Sequence, residues 1–71
     1  MDDQDRPVRY EIRVRGVLGD TLLEAFPGFR AQRAGADTVL TGELPDEAAL
    51  HGVLAEIAAL GLVLLELRRA R

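Results

Sequence analysis

Enzymatic chemistry needs nucleophiles, bases or metal ligands, and this chain holds few of them. It has no cysteine, serine or lysine, and His51 is its one histidine. The side-chain hydroxyls belong to Thr21, Thr38, Thr41 and Tyr10. A thiolate nucleophile, a serine triad, a Schiff-base lysine and a phosphate loop of the Gly-x-x-x-x-Gly-Lys type are therefore excluded by residue type alone. A histidine-based metal cluster would have to draw on two or more chains. His51 follows Glu47 by one helical turn, which reads most simply as a helix-surface neighbour pair. Glu43 and Asp46 flank a turn and a helix start, where capping accounts for them. Tyr10 alternates with Val8, Ile12 and Val14 and so belongs to a packed strand face. These residues point away from catalysis, and no catalytic, cofactor-binding or metal site is expected.

The elements that would position any site can be read from periodicity. The longest helical pattern is Pro45 to Gly61, in which Leu50, Val53, Leu54, Ile57 and Leu60 recur at three- and four-residue steps and share one face. Pro45 and Asp46 start it, Glu47 suits its first turn, and Gly61 stops it. Val8 to Arg15 alternates strictly, with Val8, Tyr10, Ile12 and Val14 on one face and Arg9, Glu11, Arg13 and Arg15 on the other, the pattern of a half-buried strand. Leu18 to Phe26 reads as a short helix ended by Pro27-Gly28. Phe29 to Ala34 and Thr38 to Leu44 read as strands joined by a hairpin turn at Ala34-Gly35-Ala36-Asp37, and Leu62 to Arg68 as the last strand. Met1 to Arg6 is acidic and unpatterned, so a disordered tail over 1–6 is expected ahead of a single domain over 7–71.

The order β-α-β-β-α-β with right-handed crossovers predicts an α+β fold. The expected architecture resembles a ferredoxin-like βαββαβ sandwich, with a four-stranded antiparallel sheet, order 4-1-3-2, and two helices on one face. Seventy-one residues without a disulfide sit near the size where one core only just offsets chain entropy, so good packing or self-association must supply stability. Net charge is −3, and Asp2, Asp3 and Asp5 account for it, since nine acids otherwise stand against nine arginines. A near-neutral body lacks the basic surplus of a nucleic-acid binder, and its all-arginine basic set follows from GC-rich coding. No apolar run approaches the roughly 18–20 residues of a membrane span and the start is acidic, so a soluble cytoplasmic protein without nucleic-acid or membrane partners is expected.

Thr38-Val-Leu-Thr-Gly-Glu-Leu-Pro45, the helix after it and Gly61-Leu-Val-Leu-Leu-Glu-Leu67 resemble BON-type modules, and residues 8–68 resemble ACT-like domains in architecture. The whole chain is similar to small standalone ferredoxin-like proteins of GC-rich actinobacteria. Metal carriers of this topology place a Cys-x-x-Cys before the first helix, where this chain has Gly16-Val-Leu-Gly19-Asp20. The ACT likeness implies that this loop could bind an amino acid between two subunits, which gives a second reading as a metabolite sensor.

The first reading is a non-enzymatic module that associates with itself, as a homodimer, and with a protein partner. Two surfaces suit that role. On the open sheet face, Arg13, Val39, Leu62, Leu64 and Glu66 are expected to share one side of the sheet, mixing charged and apolar groups, with Glu66 placed to meet an arginine. On the outer side of the long helix, Ala48, Gly52, Ala55 and Ala59 present small residues that would let another helix approach closely.

Overall fold

A computed structural model gives the structure of residues 6–70; the expected tail lies outside the described residues except for Arg6. The element order is β1 (Val8–Arg15), α1 (Asp20–Leu23), β2 (Arg30–Ala34), β3 (Asp37–Leu44), α2 (Glu47–Ala59) and β4 (Leu64–Ala70). The four strands form one antiparallel sheet in the order β2-β3-β1-β4, which is the expected 4-1-3-2 order read from the other edge. Both helices follow strands whose crossovers skip one neighbour, so the central pair is β1 and β3 and the edges are β2 and β4.

Alternation along β1 makes the core. Ile12 and Val14 are fully buried, Tyr10 nearly so, and Leu40 of β3 lies directly opposite Ile12. Residues opposite one another in an antiparallel pair share a face, so these side chains form one apolar layer under the helices. Leu50 and Ile57 of α2 pack onto it, as do Leu18 and Phe26 on either side of α1, with Leu22, Leu23, Val53 and Leu54 half-buried at its margin. Each fully buried aliphatic side chain contributes about 1.5–3 kcal/mol.

α2 is capped at both ends. The Asp46 carboxylate accepts from the Ala49 N–H at 2.8 Å, satisfying one of the orphan donors of the first turn. At the other end, Gly61 has φ +75°, the Leu62 N–H donates to the Ile57 carbonyl at 3.0 Å and the Gly61 N–H to that of Ala58 at 3.0 Å. This is the Schellman arrangement, which folds the residue after the glycine back towards the last turn. Leu62 accordingly packs against the core cluster that contains Ile57.

α1 is a single turn of four residues, shorter than the helix read over Leu18 to Phe26. Its continuation tightens into i→i−3 bonds, Ala25 N–H to the Leu22 carbonyl and Phe26 N–H to that of Leu23. Pro27 cannot extend the ladder, and Gly19 at the N-cap offers no side chain to start it. The apolar positions of the segment still turn inward, because Leu18 and Phe26 are buried. Between β2 and β3 the turn is Gly35-Ala36, with Ala34 paired to Asp37. Gly35 has φ +64° and Ala36 does not have a positive φ, the pattern of a type II′ hairpin turn.

Gly42 of β3 makes a different demand. A Cβ there would stand 2.7 Å from the Phe29 ring, so the ring lies directly on the strand backbone. Glycine at this position lets Phe29 close the core at the end where Tyr10, Leu44 and Leu50 meet.

Candidate functional site

The open sheet face is built from the outward residues of β1 and their cross-strand neighbours. Arg9 stands opposite Glu43, Glu11 between Thr41 and Arg68, and Arg13 between Val39 and Glu66. Three ion pairs result: Arg9–Glu43 at 3.5 Å, Arg68–Glu11 at 3.2 Å and Arg13–Asp37 at 3.1 Å. The first two are exposed and contribute about 0–1 kcal/mol each, so they organise the face more than they stabilise it, whereas Arg13–Asp37 is part-buried. Glu11, Arg13, Val39, Glu66 and Arg68 surround a shallow depression of about 180 Å³. Three of the expected interface residues, Arg13, Val39 and Glu66, thus come together.

Asp37 is the hinge of this arrangement. One carboxylate oxygen accepts from Nε and Nη2 of Arg13 at 3.2 and 3.1 Å, and the other accepts from the Gly16 N–H at 3.3 Å. The neighbouring Thr38 is buried; its hydroxyl donates to the Gly16 carbonyl at 2.7 Å and accepts from the Leu18 N–H at 3.2 Å. Two donors of the Gly16-to-Asp20 loop, the N–H groups of Gly16 and Leu18, are therefore committed within the chain. Glu66 stands across from Arg13, yet the guanidinium is held by Asp37, and among the described residues Glu66 forms no ion pair.

Leu62 and Leu64 do not join the open face, which corrects the reading from simple alternation. Leu62 is drawn to the core by the Schellman turn. Leu64 is turned over by a β-bulge: Glu66 stands opposite Arg13 but Leu64 stands opposite Val14, leaving Leu65 as the extra residue. An inserted residue inverts the alternation on one side of it, so Leu64 shares the helix side with Val14 and Leu67 while Glu66 stays on the open side. The sequence signal for this was the apolar run Leu62-Val63-Leu64-Leu65, which does not alternate.

β4 is exposed beyond the Leu64 that the sequence reading places at a contact. Val63, Leu64, Leu65 and Leu67 are 45%, 42%, 41% and 38% exposed, although all four lie in or beside a strand. The helix layer covers β1 and β3 and leaves this edge bare. β4 pairs with β1 on one side only, so its outer side presents unpaired backbone N–H and C=O groups together with leucines. On α2, Ala48, Gly52, Ala55 and Ala59 are all exposed, and nothing lies within 4 Å of a Cβ built at Gly52. His51 and Glu47 are exposed on the same helix without an ion pair between them among the described residues. Among those residues, no group of three or more His, Asp or Glu side chains is placed to hold a metal ion, and no helix is long and apolar enough to cross a membrane.

Comparison with known proteins adds one finding. Residues 9–68 match the model of a family described as a domain of unknown function, DUF8691. No curated protein and no solved structure matches the chain.

Proposed function

The chain belongs to the DUF8691 family, and we propose that it acts by association, as a non-catalytic module that pairs with a second copy of itself and presents the joined sheet to a protein partner. One observation carries this reading. β4 is an edge strand with open hydrogen-bonding groups and with Leu64, Leu65 and Leu67 each about two-fifths exposed. A monomer that keeps such a strand bare invites edge-to-edge pairing, and removing the leucines from water contributes about 25 cal/mol per Å² of apolar surface. Small size sharpens the motive, because the chain has no cysteine for a disulfide and its described residues form no cluster of metal-ligating side chains to supplement the core.

Light scattering on the purified protein at tens of micromolar tests the reading, with a dimer as the expected result. Leu64→Glu should give folded monomers, since position 64 is half open to solvent and tolerates a charge within one chain. A wild-type monomer at that concentration sinks the proposal. If Gly52→Glu dissociates the assembly while Leu64→Glu does not, the contact lies on the small-residue face of α2.

A further inference from the structure

We infer that two copies join through β4 in one particular register, with Leu67 of each chain on the two-fold axis, so that the two sheets continue as a single antiparallel sheet of eight strands. The inference rests on the self-association proposed above and adds its geometry. In an antiparallel pair, residues directly opposite share a face, so a two-fold pairing of β4 with itself sets some residue opposite its own copy. Beyond the bulge the regular stretch is Glu66 to Ala70, with Glu66, Arg68 and Ala70 on the open side and Leu67 and Arg69 on the helix side.

Charge selects among the registers this stretch allows. An axis through Glu66, Arg68 or Arg69 sets two like charges face to face, and one through Ala70, the last residue of β4, overlaps too little of the strand to pair it. An axis through Leu67 instead sets Glu66 opposite Arg68 of the second copy, and does so twice, while the two Leu67 side chains meet on the helix side. Glu66 is the acid of this face without an ion pair among the described residues, so the second copy supplies a partner that its own chain does not. Backbone pairing is satisfied as well, because alternate N–H and C=O groups of an edge strand point outward whichever residue lies on the axis.

A thiol test and a charge test decide it. The chain has no cysteine, so Leu67→Cys introduces a single thiol, and on the axis the two Cα atoms stand about 4.5–5.5 Å apart, within disulfide reach. Mild oxidation should convert most of the protein to a covalent dimer, and the same thiol placed by Arg69→Cys should cross-link at least tenfold more slowly. Independently, Glu66→Arg and Arg68→Glu should each weaken the homodimer at least tenfold in Kd. An equimolar mixture of the two variants should recover a dimer containing one chain of each, because the exchanged charges are then complementary. Circular dichroism on each variant separates lost pairing from lost folding, and the thiol test does not depend on the charge variants folding. A wild-type dimer in which position 67 does not cross-link and the mixture does not recover overturns this register while leaving self-association intact. A wild-type monomer overturns both.

Discussion

At the residue scale, Thr38 does the most with the least. Its one hydroxyl serves as donor to Gly16 and acceptor from Leu18, and so fastens the β1–α1 loop to the end of β3. Because the site is buried, an isosteric loss of the hydroxyl leaves a carbonyl and an N–H without a partner or water. Thr38→Val should therefore cost about 1–3 kcal/mol in denaturant melts, while Thr38→Ser should recover most of that loss. Equal stability of the valine and serine variants would show that the side chain acts by packing alone. Asp37, one residue earlier, ties the same loop to Arg13 through its other contacts, so two adjacent residues of β3 set the path of the chain leaving β1.

At the element scale, α2 holds the molecule together and β4 leaves it unfinished. Ile57 is 2% exposed and lies in the cluster with Ile12, Val14 and Leu40, whereas Leu54, one turn earlier, is only half-buried at the margin. The difference in burial predicts an order of cost. Ile57→Ala should destabilise by about 2–5 kcal/mol, a large part of the stability of a domain this small, and Leu54→Ala by less. The reverse order in equilibrium unfolding would mean that α2 seats on the sheet by its other flank. α1 contributes one turn, with Leu18 and Phe26 anchored in the core on either side of it, while on the helix side of β4 Leu64 and Leu67 stay about two-fifths exposed.

At the scale of the whole molecule, the proposed self-association would make folding and pairing one equilibrium. If two chains fold and pair together, a tenfold rise in concentration stabilises the dimer by about 1.4 kcal/mol, or about 0.7 kcal/mol per chain, and makes the melting temperature depend on concentration. For a domain of this length that corresponds to a rise of about 3–6 °C per decade of concentration. A melting temperature that stays constant between about 5 and 500 micromolar would show that the chain unfolds as a monomer.

Much of this protein was determined by local pattern. Strict alternation placed Tyr10, Ile12 and Val14 inside and Arg9, Glu11 and Arg13 outside. The stripe from Leu50 to Ile57, the start at Asp46 and the stop at Gly61 bounded α2, and the order of elements implied the sheet order. These features follow from side-chain periods of 2 and 3.6 and from capping chemistry, all of which act within a few residues of chain. The tertiary structure decided what depends on residues far apart in sequence. Gly42 is a glycine because Phe29, thirteen residues earlier, rests its ring on that backbone. Arg13 chose Asp37 over Glu66 because Asp37 is also held by the Gly16 N–H, and a carboxylate fixed from one side is a better-placed acceptor. The bulge at Leu65 sent Leu64 and Glu66 to opposite faces, because its position depends on how β4 registers against β1, a long-range pairing that local alternation does not encode.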